Sequence, residues 1–154
     1  MCSISGNQVQ VEINKIGREC LCLQSRMTTR AITRRYNTVL APIGLEVTEF
    51  SLLAALHVGR DSSITELADR LAFERTTLVR NLKHMAERSL IESETQKGRA
   101  VKYILTKKGL SLLTQALPLW AAAQTSVHEQ MAPGTASKVL ASLKTLRKAT
   151  RQDR

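Results

Sequence analysis

Residues 75–83 of the chain read RTTLVRNLK. Two short hydroxyls (Thr76, Thr77), two guanidinium groups (Arg75, Arg80), an amide (Asn81) and an ammonium (Lys83) fall within nine positions. These groups can hydrogen-bond to the edges of bases and neutralise phosphates. Arginine presents a planar fork of donors that matches the paired acceptors of guanine, and threonine can meet a phosphate or a thymine methyl group. A second cluster follows in QKGR, where Lys97 and Arg99 flank Gly98, with Lys102 shortly after. An arginine at such a tip can enter a minor groove, while lysines beside it hold the backbone.

Other reactive groups form no constellation. His57, His84 and His128 are dispersed, and no HExxH, CxxC, Ser-His-Asp or glycine-rich phosphate motif is present. The expectation is no metal site, no cofactor and no enzyme. Cys20 and Cys22, on a single helix, would stand ~200° apart around its axis. Cys20 would belong to the apolar stripe as a small packed hydrophobe. Cys22, four residues from both Arg18 and Arg26, has an electropositive setting that favours a reactive thiolate. Three cysteines, clustered and odd in number, imply no disulfide framework and a reducing cytoplasm. The opening MCSISGNQVQVEINK has no basic stretch leading into an apolar one, and no apolar run approaches the ~18 residues of a membrane span.

The elements that position these groups must fit in 154 residues, enough for one ordinary domain. Lys and Arg outnumber Asp and Glu by 23 to 13, and the net charge of +10 points to a polyanionic partner. Aromatic residues are only 3%, which disfavours single-strand recognition by stacking and leaves a duplex as the natural target. The charge is uneven: residues 1–59 and 60–105 each carry +2, and residues 106–154 carry +6.

Apolar spacing gives the order of elements. Residues 1–15 read as a loose polar arm. Ile16, Cys20, Leu23, Met27 and Ala31 mark a helix over 18–41, stopped by Pro42 and Gly44. Thr48 is placed to cap the next helix, which holds Phe50, Leu52, Leu53 and Leu56. A short helix begins near Thr65, and a break at Phe73 leads to another over 74–88. Extended runs at 90–95 and 101–105 flank the QKGR tip as a hairpin. Helix returns from Thr106 to about His128, with Pro118 as a point of kinking or splitting. A last helix over 136–151 carries Val139, Leu140, Leu143 and Leu146 on one stripe.

Short helix, tight turn, longer helix and basic hairpin, in that order, make a helix-turn-helix followed by a wing. At ~100° per residue, Leu78, Val79, Leu82, Met85 and Ala86 gather within about one third of the circle of the longer helix. Thr76, Thr77, Arg80, Lys83 and His84 lie opposite. One side is expected to dock on the core, and the other to face a major groove. Glu87 is the exception on the polar side.

ITELADRLAFERTTLVRNLKHMAERSLIE and then KGRAVKYILTKKG resemble the winged-helix core of the MarR family of transcription regulators. AITRRYNTVLAPIGLEVTEFSLLAAL is similar to that family's first two helices, and ALPLWAAAQ to its long dimerisation helix. The resemblance spans about 18–150. It implies a mainly α fold with a small β-hairpin (α+β), in which a single domain over 1–154 carries dimerisation helices at 18–41 and 106–151 around a winged region at 48–105. It further implies a homodimer reading a pseudo-palindromic double-stranded operator, most often a repressor released by a small aromatic molecule or an oxidant. The family's recognition contacts map onto Arg75, Thr76, Thr77, Arg80 and Asn81, and its wing arginine onto Arg99. Lys97 stands where the family usually has an acid, so the usual ionic tether of the wing is absent. The family's first-helix oxidant sensor corresponds to Cys22. Its effector cavity, between the first two helices and the fifth, points to Tyr36 and Phe50, although core packing also accounts for Phe50. Trp120 reads as a core or interface anchor. The alternative reading is a winged-helix protein-interaction module without specific DNA binding.

Overall fold

The computed structural model describes residues 6–59, 63–94 and 101–150. Seven α-helices and one antiparallel hairpin follow the order α1 (Gly6–Glu19), α2 (Leu21–Leu40), α3 (Val47–Val58), α4 (Ile64–Leu71), α5 (Arg75–Glu87), β1 (Ile91–Glu94), β2 (Lys102–Leu105), α6 (Lys107–Glu129) and α7 (Thr135–Ala149). A 3-10 turn at Ala41–Ile43 separates α2 from α3.

Of the expected loose arm over 1–15, the described part, 6–15, is helical. It belongs to α1, in which Val9, Ile13 and Ile16 recur at helical spacing. None of its residues is buried, because this stripe meets no core in its own chain. The next helix begins three residues later than the spacing indicated. Cys20 stands between α1 and α2 with an extended backbone (φ −71°, ψ 106°), and its Sγ accepts the Leu23 N–H at 3.5 Å. It is half-buried, so it caps a helix and is not a fully packed hydrophobe.

Local chemistry sets the other boundaries. Pro42 sits in the 3-10 turn, and Gly44 follows in the left-handed region (φ 65°) that glycine tolerates. The start of α3 is satisfied by two side chains other than Thr48. Glu49 accepts the Glu46 N–H at 3.1 Å, and Asn37 Oδ1 accepts the Val47 N–H at 2.8 Å. At α4, Ser63 and Glu66 exchange bonds: Ser63 Oγ accepts the Glu66 N–H (3.2 Å), and Glu66 accepts the Ser63 N–H (2.7 Å). The hairpin pairs Ile91 with Leu105 and Glu94 with Lys102. Thr106 caps α6 by accepting the Gly109 N–H at 3.0 Å. Pro118 lies inside α6, which continues as one helix to Glu129.

The core is a cluster of leucines drawn from the end of α2 through the first half of α6. Leu40, Leu45, Leu52, Leu53, Leu67, Leu78, Leu82, Met85, Leu90 and Ile91 are its fully buried members. The terminal helices lie outside it. In α7 no residue is buried, and Val139, Leu140 and Leu143 are exposed, as are Leu117 and Trp120 on α6. Exposed apolar side chains thus recur along both α6 and α7.

Candidate nucleic-acid interface

The turn between α4 and α5 is made by Ala72 in the left-handed region (φ 55°), with the Phe73 N–H returning to Ala68 O at 2.9 Å. It swings α5 across α4 and leaves one side of α5 in solvent. Leu78, Leu82 and Met85 are buried and hold the other side. Arg75, Thr76, Arg80 and Lys83 are exposed, whereas Thr77 and Asn81 are half-buried on the border. The expected polar face is thus presented together. Its basic tip is not described: Lys97 and Arg99 lie outside the described residues.

One position departs from the helical-wheel expectation. The helical period puts Val79 on the docking side, yet it is 41% exposed. The reason is the width of the contact. Only the sector around Leu78, Leu82 and Met85 reaches the core, and Ala86 at its edge is half-buried.

Beyond its last turn, α5 is fastened from two directions. Arg88 Nη1 pairs with Glu49 Oε1 at 2.5 Å, and Arg88 Nη2 donates to Gly44 O at 2.6 Å. Among the described residues, Glu49 is the one buried charged side chain. Its other oxygen caps α3, so one carboxylate ties the start of α3 to the end of α5. His84 Nε2 lies 3.9 Å from the same Oε1. From the far side, Lys108 Nζ donates to Arg88 O (2.8 Å) and Thr106 Oγ1 to Ser89 O (2.7 Å). The spacing of residues carried no signal for the Glu49–Arg88 pair, because its members are 39 positions apart. Only the acid three residues after Glu46 hinted at a cap.

A cleft of about 630 Å³ runs beside this face. Thr77, Arg80, Asn81 and His84 of α5 form one wall, and Asn37, Glu46 and Thr48 belong to the other. Tyr36, Phe50 and Cys22 do not line it. Tyr36 is buried, its hydroxyl donates to Gln124 Oε1 on α6, and burial pushes its pKa above 10.0. Gln124 Nε2 in turn lies 3.0 Å from His128 Nε2. Phe50 is buried and stacks on Trp120, with ring centroids 6.2 Å apart. Cys22 is exposed in the first turn of α2. Among the described residues, no group of three or more His, Cys, Asp or Glu is placed to hold a metal ion.

A family model described as "MarR family" matches residues 43–100. The transcriptional regulator MosR of M. tuberculosis is 33% identical, with 86% of this chain and 98% of that one aligned, at a TM-score of 0.73. The same regulator in complex with DNA aligns at 34% identity over 87% of this chain and 100% of that one, TM-score 0.75. A mutant of E. coli MarR complexed with operator DNA shares the fold at 19% identity, covering 88% and 95% of the two chains, TM-score 0.75. No curated protein sequence matches the chain. With a relative above 30% identity aligned over nearly its full length, and with the helix, turn, helix and hairpin just described, this chain belongs to the MarR family of winged-helix transcriptional regulators.

Proposed function

We propose that two copies of this chain pair through their terminal helices and read a pseudo-palindromic duplex, as a repressor that a small aromatic molecule or an oxidant releases. The observation that carries the reading is α5 itself. Its leucines are buried in the core, and Arg75, Thr76, Arg80 and Lys83 stand together in solvent. Arg80 takes a base edge, with Thr76, Thr77 and Asn81 beside it, while Lys83 holds phosphate. Lys97 and Arg99 serve the backbone and the minor groove. Two such helices about 34–36 Å apart would enter successive major grooves. The exposed apolar residues of α6 and α7 support pairing, since a monomer would leave them in water. Further support comes from the relatives solved on DNA.

The effector acts on the helices that join the reading heads. Cys22 is accessible to an oxidant, and Tyr36 and Phe50 sit where α2 and α3 pack on α6. A shift in how these helices pack would change the spacing of the two α5 helices. We place the protein in the cytoplasm and assign it no catalytic step. Among the described residues, no single helix is long and apolar enough to cross a membrane.

Selection of duplexes from a random library, followed by titration at fixed salt, tests the reading. A selected site should bind at least about a thousandfold more tightly than random duplex. Equal affinity for both, or a monomer in sedimentation at the concentrations used, would overturn it. Peroxide treatment with mass spectrometry tests the oxidant branch: operator affinity unaltered with Cys22 oxidised removes that branch.

A further inference from the structure

We infer that Val79 is a specificity-determining residue that reads the methyl group of one thymine in each half-site. The inference rests on the proposed insertion of α5 into the major groove and adds one contact to it.

Val79 lies in the second turn of α5, in the half of a recognition helix that reaches base edges. Arg75 precedes it by four residues and Lys83 follows it by four, so the three form one row along the helix. Thr76 and Arg80 form the neighbouring row, and all five residues are exposed. An isolated exposed valine is ordinary on a protein surface. Here, however, the valine is flanked by two cations and borders two hydrogen-bonding side chains. Those neighbours suit a polyanion rather than an apolar protein partner.

Its own chemistry narrows the target. Valine has no donor or acceptor, so it cannot bond to a phosphate or to a purine edge. In the major groove, the C5-methyl of thymine is the apolar group that a side chain meets. Val79 is branched at Cβ and stiff at χ1, so its two methyls are already oriented and little freedom is lost on contact. The neighbouring Arg80 would then read an adjacent base pair by hydrogen bonds, and the two contacts together would fix register along the site.

Deoxyuridine substitution isolates this contact, because it removes the methyl and leaves the pairing edge intact. The tightest duplex selected from the random library is used, with thymines replaced by deoxyuridine at symmetric pairs of positions, one pair at a time. Burial of one methyl-sized group corresponds to about fourfold in affinity per half-site, hence about fifteenfold for a symmetric site. The wild-type dimer should lose about that factor at one pair of positions. The Val79→Ala dimer should bind the unmodified site about fifteenfold more weakly and lose nothing further at that pair. Val79→Thr, which keeps one methyl and the branched shape, should retain part of the sensitivity. If wild type and Val79→Ala respond alike to every replacement while both still prefer the selected site, this inference fails and the proposed function stands. If no duplex is preferred by the wild type, both fall.

Discussion

Replacing Arg88 by methionine would keep an aliphatic stem and remove the guanidinium that answers Glu49. The carboxylate of Glu49, whose side chain is 9% exposed beside Arg88, would keep its cap to Glu46 and lose its 2.5 Å partner. Removing one member of a buried ion pair costs about 3–5 kcal/mol. Arg88 is 32% exposed, so water can reach the vacated position and the cost should fall to about 2–3 kcal/mol. Glu49→Gln would lose a charge-assisted hydrogen bond, worth about 1.5–3 kcal/mol. It would also force one amide to serve two sites that each need an acceptor or a charge. The double variant has no unanswered charge. Its cost should therefore be less than the sum of the singles, with a coupling of about 1–3 kcal/mol. Urea unfolding followed by circular dichroism measures all four species, at one protein concentration because the proposed dimer makes stability concentration-dependent. In a chain of this size, each kcal/mol corresponds to about 2–4 °C in Tm. Costs that add to within about 0.5 kcal/mol would refute the claim that one carboxylate clamps α3 to the end of α5.

Gly109→Ala would set a Cβ 2.0 Å from Leu90 O, a backbone atom with little room to yield. A loss of about 1–3 kcal/mol or more is expected, and an unchanged Tm would contradict the close approach of α6 to that junction. Arg80→Ala should cost about 1–3 kcal/mol of discrimination between the selected and random duplexes. Lys97→Ala should weaken all duplexes alike and reduce the salt slope by about 1, so equal losses from both variants on both duplexes would defeat that division of roles. Hydrogen bonding to the backbone and side chain of Ser63 holds the Glu66 carboxyl below its ordinary value of 4.5. A depressed folded value stabilises the fold above the unfolded value, and that contribution is lost as pH falls through the folded one. Ser63→Ala keeps the backbone N–H that contributes most and removes the hydroxyl, so its acid titration should show a slightly shallower decline in stability below pH 4.5 than wild type, and an unchanged decline would exclude the hydroxyl as a contributor.

The order of elements was legible because each depends on contacts close in sequence. Pro42 and Gly44 end the helix before α3, and short extended runs with Ile, Val and Tyr flank the polar QKGR tip, whereas the start of α4, placed near Thr65 by the spacing, is set one residue earlier by the Ser63–Glu66 exchange. The polar side of α5 was legible for the same reason, since a helix period sorts residues without reference to any neighbour. α1 is not legible although its stripe is periodic, because four apolar residues among polar ones read as loop when no core receives them. Val79 shows the limit of the same reasoning: a helical wheel gives the direction of a side chain but not how wide a sector the core covers. What the amino-acid sequence alone determined is thus the succession of helices and strands and the residues offered for contact, through caps, turns and local periodicity. Tertiary structure alone decided that Arg88 answers Glu49, that Val79 stays in solvent and that Tyr36 turns to Gln124. Such pairings join residues dozens of positions apart, and only the packing of α3 and α6 against their neighbours brings them within bonding distance.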